Sequence, residues 1–391
     1  MKKQNMLNLL LIIIFSSFTS IVGIIEIQAS FDKLRETPQI LSTTSQQEIE
    51  KILIDQLPYK RQLRDVYSLL LRAQGKAEAR DFYITKTEDG YLQQANYFAE
   101  SNPNIKKYAK QLEKMTKTLN DTTFLYVGSS GKYIHGVSKI RPGYPTNDVA
   151  LQNLDELFLE LSYRQINTLD LRKTVPEERD TYQEYYYKTH SIWTDVAAFQ
   201  ATIQIMDELQ KKNSIFNYDK KYALSSNYRK DVYSKKMVGD QLRSTGIFFT
   251  TVDDLELFVP NFPVNLTYKD VSKNVTRQGD YYQTVINPVE YARKDTTYFN
   301  ASTIYFGSEL RHLKLINNQI ETGGKIVLLT DNYFLSIAKY LALMNKEVEV
   351  IVTENETSKT IEKLIENEEF DAVVVATQST SIQDSFYNFY K

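Results

Sequence analysis

The side chains best suited to acyl chemistry lie in two segments that are far apart in the chain. Residues 187–194 contain His190 and Trp193, the only tryptophan, just before a helical pattern. Residues 326–334 contain Asn332, which directly follows a run of apolar residues. Histidine is the usual group that takes the proton of a serine or threonine nucleophile. A hydrolase site built from this chain would therefore need the two segments to meet.

The composition excludes several other kinds of site. The chain has no cysteine, so disulfides, thiolate metal sites and cysteine nucleophiles are excluded. Its three histidines, His135, His190 and His312, are too far apart in sequence to predict a metal site, and we expect no metal and no cofactor. The formal net charge of −2 over 391 residues gives no basic field for nucleic acid.

The N-terminus predicts export from the cytoplasm. Lys2 and Lys3 precede an apolar run from about Leu7 to Ile25, which is long enough to span a bilayer. We expect residues 1–29 to be a retained signal anchor, or a signal peptide if the chain is cleaved after Ala29. The polar residues 30–50 are typical of a linker.

The rest of the chain predicts an α/β fold. Apolar strands at Lys325–Thr330, Val348–Val352 and Asp371–Ala376 alternate with helical patterns, which is typical of a parallel sheet covered on both faces. We expect one three-layer, Rossmann-like domain over residues 51–391. Its two segments, about 51–210 and 301–391, are interrupted by a β-rich insertion at about 211–300.

Asp331 and Asn332 follow the first of these late strands. Open α/β sheets bind ligands at the carboxyl ends of their strands, so both residues are predicted to lie at the binding edge. Asp331 is best explained as a cap for a helix that begins near Tyr333.

Four segments resemble the DHHW family of Gram-positive surface proteins. That family is related to the AlgX- and AlgJ-like proteins of alginate O-acetylation, in the SGNH hydrolase-like superfamily. Residues 55–67 resemble the opening helix, and residues 82–92 resemble a strand and turn ending in Asp-Gly-Tyr-Leu. Residues 186–199 are similar to the family's "YYkTDhHWT" motif, and residues 325–333 to its late "kkllvikDSY" motif. The resemblance implies an SGNH-hydrolase-type domain.

The resemblance also implies that the catalytic trio has been lost. In active relatives a carboxylate orients a histidine, which takes the proton of a serine. Position by position, the acid corresponds to His190, the base to Ile192 and the nucleophile to Asn332. No Asp-x-His sequence occurs anywhere in the chain, so a shifted alignment does not restore the motif.

The implied function is therefore binding rather than catalysis. We expect a catalytically degenerate, surface-anchored protein that binds a polysaccharide, or a membrane-bound O-acyltransferase as partner, in the old cleft. The chain has 28 tyrosines and 19 phenylalanines, most of which are expected to pack in the core. The residues expected at the cleft are Tyr187, His190, Trp193, His312, Asp331, Asn332 and Tyr333.

Two alternatives remain at this stage. The first is an active O-acetyltransferase or esterase in which His190 or His312, the latter approaching from a loop, activates Thr330, Ser336 or Ser191. The second is an extracellular sensor that binds a small ligand at the late strands.

Overall fold

The computed structural model describes residues 59–94, 100–119, 121–134, 136–144, 148–174, 179–293, 303–307 and 310–391. The predicted anchor, the linker and His135 lie outside these residues. Within them, no helix is both long and apolar enough to cross a membrane. Residues 71–391 form one compact unit, and residues 59–70, which belong to another, make up most of the first helix, α1 (Lys60–Ala73).

The centre of the unit is a mixed sheet of eight strands among the described residues. Five neighbouring strands run parallel, and three antiparallel strands extend the sheet beyond β12. In spatial order the strands are β5 (Thr168–Asp170), β4 (Thr123–Ser129), β13 (Ala372–Gln378), β11 (Lys325–Thr330), β12 (Glu347–Val352), β10 (His312–Asn317), β8 (Leu266–Asp270) and β9 (Val275–Gly279).

Five further strands form two smaller sheets. They are β1 (Glu78–Ala79), β2 (Ile84–Lys86) and β3 (Leu92–Gln93) in one sheet, and β6 (Tyr228–Met237) and β7 (Asp253–Pro260) in the other. The helices after α1 are α2 (Ile105–Thr118), α3 (Val149–Tyr163), α4 (Arg179–Tyr185), α5 (Asp195–Lys212), α6 (Asp240–Thr245), α7 (Tyr281–Thr284), α8 (Pro288–Arg293), α9 (Ala338–Met344) and α10 (Ser358–Asn367).

The central strands are apolar on both faces because helices cover both sides of the sheet. In β11, Ile326 and Leu328 pack in a core with residues of α5 and α9, whereas Val327 and Leu329 pack in a second core with residues of α2, α3 and α10. Successive side chains of a strand point to opposite faces, so one apolar run serves both cores. The α/β fold predicted from the sequence is confirmed.

The antiparallel extension was not apparent from the sequence. Strands β8 and β9 come from the range predicted as a β-rich insertion, yet they join the main sheet through β10. β8 alternates between buried and more exposed residues, and the edge strand β9 has no buried residue. Such alternation is typical of antiparallel strands that pack one face on the core and expose the other to solvent. The division into two segments and an insertion stays a prediction.

Candidate functional site

A cleft of about 430 Å³ opens beside the carboxyl end of β11. Residues of both segments singled out in the sequence, 187–194 and 326–334, line this cleft. Tyr187, His190, Ile192 and Trp193 come from the first segment, and Asn332 comes from the second. The cleft therefore lies where open α/β sheets place their ligands.

The segment before Trp193 is held by two charged side chains, the half-buried Asp253 and the buried Lys132. Asp253 accepts hydrogen bonds from the backbone N–H groups of Thr189 (2.8 Å) and Lys188 (3.0 Å). The Nζ of Lys132 donates to the carbonyl oxygens of Lys188 (2.8 Å) and His190 (3.0 Å). Burial lowers the pKa of Lys132 to about 7 and raises that of Asp253 above its usual range. These bonds fix the backbone that presents His190.

Trp193 joins the two segments. Its ring centroid lies 4.6 Å from that of Tyr333 and 4.9 Å from that of Phe334, and its Nε1–H donates to Ser336 Oγ at 2.7 Å. Tyr333 is buried in the core behind the tryptophan and does not line the cleft. The tryptophan thus aligns the loop after β11 with the loop before α5.

Asp331 and Asn332 have different surroundings although they are neighbours. Asp331 is buried, and its carboxylate accepts the N–H groups of Phe334 (3.0 Å) and Gln378 (2.9 Å) and the hydroxyl of Thr377 (3.2 Å). Burial raises the pKa of Asp331. Asn332 is exposed and faces the cleft. Asp331 therefore ties β11 to β13, and only Asn332 is available to a ligand.

His190, Ile192 and Asn332, the three positions singled out by the sequence, line the same cleft. Ile192 has no atom that accepts a proton, and Asn332 has no hydroxyl to form an acyl ester. Acyl transfer through these three positions therefore lacks both its base and its nucleophile.

Asp240 is a site residue that the sequence analysis missed. Its Oδ1 lies 3.0 Å from Nδ1 of His190, and its two oxygens also accept the N–H (2.8 Å) and the hydroxyl (2.6 Å) of Ser191. Burial by itself raises the pKa of Asp240, but His190 and Ser191 outweigh it, and the net pKa lies well below the usual range. Asp240 begins α6, within a range predicted as strands and loops.

Gly239 makes the approach of α6 possible. A Cβ at this position would lie 2.2 Å from the carbonyl oxygen of Thr189, closer than any side chain tolerates. The glycine before an acidic residue was the one signal in the sequence for a close backbone contact here.

Asp195, a second acidic residue of the cleft, forms an ion pair with Lys339. Asp195 is buried, and its Oδ1 lies 3.0 Å from Nζ of Lys339, which is fully buried. Its Oδ2 accepts the N–H of Phe258 at 3.0 Å and the hydroxyl of Tyr305. Burial lowers the pKa of Lys339, and Asp195 opposes that shift. This buried pair forms the floor of the cleft.

His312 does not line the cleft. It was expected to approach from a loop, but it is the first residue of β10, and its Nε2 is bonded to Glu349 on β12. The histidine is held in the sheet by this carboxylate, which lies two residues along β12 from Ile351, the direct neighbour of His312 across the strands.

The hydroxyl groups of Thr330, Ser191 and Ser336, the three candidate nucleophiles, have different surroundings. Thr330 is buried, and its hydroxyl donates to the carbonyl oxygen of Asp331 at 3.0 Å. Ser191 donates to Asp240, while Ser336 lines the cleft and accepts from Trp193. Within the described ranges, no group of acidic and histidine side chains is arranged to hold a metal ion.

Comparison with known proteins agrees with this fold. Bacillus cereus PatB1 superposes with a TM-score of 0.62 at 18% identity, covering 78% of this chain and 98% of PatB1. A DHHW family protein from Eubacterium siraeum superposes with a TM-score of 0.58 at 12% identity, covering 78% of this chain and 94% of its own. No curated protein sequence matches the chain.

The match to a protein family covers the segment that contains His190 and Trp193. Residues 84–236 match the family model described as "SGNH hydrolase-like domain, acetyltransferase AlgX", and this range includes Trp193 but ends before Asn332. The resemblance predicted from the sequence is confirmed: residues 84–236 match the model of an AlgX-type SGNH hydrolase-like domain, and the fold is similar to that of PatB1 and the DHHW family protein.

Proposed function

We propose that this chain is a catalytically degenerate member of a polysaccharide O-acetylation system, and that its cleft binds a glycan or a partner acyltransferase. The observation that supports the proposal is that Ile192 and Asn332, which the sequence resemblance aligns with the family's base and nucleophile, line one cleft. The cleft is formed and lined by polar and apolar side chains, so binding does not require the lost chemistry.

An assay of acetyl-ester hydrolysis tests the loss of catalysis. The purified chain is expected to release no acetate above the rate of buffer, because removing a whole triad typically costs about a million-fold in kcat. The same assay on Asn332→Ala should give the same background, and Asn367→Ala, on the exposed end of α10, is the matched control. Turnover by the unmodified chain that Asn332→Ala abolishes would overturn the proposal.

The cellular setting is part of the same proposal. The domain would lie outside the cytoplasm, held at the membrane by the apolar N-terminal segment, next to a membrane-bound O-acyltransferase. Cell fractionation tests the anchor: the full chain should sediment with membranes, and a variant lacking residues 1–29 should not. Recovery of the full chain in the cytoplasmic fraction would exclude this arrangement.

One observation favours a second function, an active esterase or acetyltransferase with a non-standard triad. His190 is paired with Asp240, as a catalytic histidine is paired with its carboxylate, and Ser336 lines the same cleft. This function predicts covalent labelling by a fluorophosphonate that is lost in Ser336→Ala and in His190→Ala. Absence of labelling in the unmodified chain would exclude it.

A further inference from the structure

The second nitrogen of His190 is buried and lacks a hydrogen-bond partner. The imidazole is 3% exposed and lines the cleft. Nδ1 is engaged by Asp240, but Nε2 has no partner within the part of the chain that the structure describes. A buried polar atom without a partner destabilises the folded chain, so such an atom at a cleft marks a place where a ligand can supply the missing bond.

Asp240 determines what kind of partner Nε2 accepts. An ionised carboxylate only accepts hydrogen bonds, so its 3.0 Å contact with Nδ1 requires that nitrogen to carry the proton. The N–H of Ile192 is also placed to donate a hydrogen bond to Nδ1 at 3.2 Å, which would need the opposite tautomer, but it is uncharged and more distant than the Asp240 carboxylate. The low pKa of Asp240 keeps the carboxylate ionised. In neutral His190, Nε2 is therefore a lone-pair acceptor.

The charges around the cleft restrict the ligand further. Three acids, Asp195, Asp240 and Glu256, line it, and no lysine or arginine does so among the described residues. Lys339 is buried behind Asp195, and the partly exposed Lys230 lies 3.4 Å from Glu256.

A third lysine, Lys132, lies behind His190. Lys132 is buried, and its Nζ is bonded to backbone carbonyl oxygens and to Gln241 at 2.9 Å. None of the three lysines lines the cleft, so a carboxylated ligand would meet Asp240 and Glu256 without a lining cation to bind it.

We propose that the cleft binds an uncharged carbohydrate, one of whose hydroxyl groups donates a hydrogen bond to Nε2 of His190. Ile192 and Leu335 offer apolar surface to the C–H groups of the sugar, and Asp240 holds the histidine in the accepting tautomer. The inference rests on the proposed function and names the chemical class of the glycan: uncharged rather than uronic.

Nitrogen NMR of the full chain tests the histidine without a ligand. The sequence has only three histidines, so selective ¹⁵N labelling gives a small spectrum in which His190→Asn assigns the signal. In the neutral imidazole, Nδ1 of His190 should appear protonated and Nε2 unprotonated. Asp240→Asn should change this pattern. A protonated Nε2 in the unmodified chain would overturn the inference, whatever the cleft binds.

Calorimetry with matched saccharides tests the ligand. The probes are the tetrasaccharides of N-acetylglucosamine, which is uncharged, and of galacturonate, which carries one carboxylate per ring. The full chain should bind the uncharged probe at least tenfold more tightly, and His190→Ala should weaken that binding tenfold or more. Lys359→Ala, on the exposed start of α10, is the control and should bind as the unmodified chain does.

The outcomes separate this inference from the proposed function. Preference for the galacturonate probe, or unchanged binding by His190→Ala, would overturn the inference and leave a binding function standing. Binding of neither probe would also overturn it. Hydrolysis of acetyl esters that depends on Asn332 would instead remove the proposed function.

Discussion

Asn332 exposes an amide where the related motif has a hydroxyl, and Ile192 places a branched alkyl group where that motif has an imidazole. Each change alone interrupts acyl transfer, because a hydroxyl without a base is a poor nucleophile at neutral pH and a base without a hydroxyl has nothing to activate. The two residues line one cleft, so their effects combine at a single place.

Restoring the hydroxyl alone should therefore not restore reactivity. We expect Asn332→Ser to remain unlabelled by a fluorophosphonate, since residue 192 is still isoleucine. The triple variant His190→Asp, Ile192→His and Asn332→Ser should label at least a thousandfold faster, as expected for a completed triad. In-gel fluorescence over a time course measures both rates. Labelling of the single variant would show that His190 reaches residue 332 and serves as its base.

Of the motif residues expected at the cleft, Asn332 lines it, whereas its neighbours Asp331 and Tyr333 are buried and do not. His190, Ile192 and Asn332 were expected at a cleft because of their order beside Trp193 and after an apolar strand. Asp240 was missed because its helix is only six residues long and follows a strand of mostly exposed residues. Such a short helix shows no periodicity, and its position depends on a backbone contact made through Gly239.

At the scale of elements, the late strands were the most predictable. The expected bounds of β11 are those observed, and the bounds of β12 and β13 differ by one or two residues. Most residues of these strands are buried and apolar, so their pattern depends little on their neighbours. The helix expected near Tyr333 starts instead as a 3₁₀ turn, Phe334–Ile337, before α9. Asp331 was expected to cap this helix, and its side chain accepts the N–H of Phe334 in the 3₁₀ turn.

The contact between α6 and the segment before Trp193 should be sensitive to one methyl group. Gly239 has backbone angles open to any residue, so Gly239→Ala introduces only the clash with Thr189. We expect a loss of about 1–3 kcal/mol in the free energy of unfolding, together with a displaced ¹⁵N signal of His190. Ser244→Ala, in the same helix, should change stability by less than about 0.5 kcal/mol. An unchanged midpoint in urea for Gly239→Ala would contradict the contact.

Lys132 should make the stability of the fold depend on pH. Its pKa falls from 10.5 in the unfolded chain to about 7 in the folded protein, so the unfolded state binds more protons between these values. The free energy of unfolding should therefore rise with pH above about 7 on account of this group. In Lys132→Met this part of the slope should vanish. Urea titrations of both proteins from pH 6 to pH 9.5 measure the difference, and parallel curves would refute the assignment.

The whole unit depends on two apolar cores that share the central strands. Leu328 is fully buried in the core formed with α5 and α9, so Leu328→Ala should lower the free energy of unfolding by about 2–5 kcal/mol. Leu159 is 50% exposed on α3, and Leu159→Ala should cost less than about 1 kcal/mol. Equal urea midpoints for the two variants would show that the sheet is not packed on both faces.

The single tryptophan also gives the protein an optical reporter. Trp193 forms part of the cleft wall, with its indole N–H bonded to Ser336 and its ring against Tyr333. Any molecule that enters the cleft changes the polarity around that one indole. Its emission maximum and its quenching by acrylamide should therefore follow occupancy directly, without an attached dye and without interference from another fluorophore of the same kind.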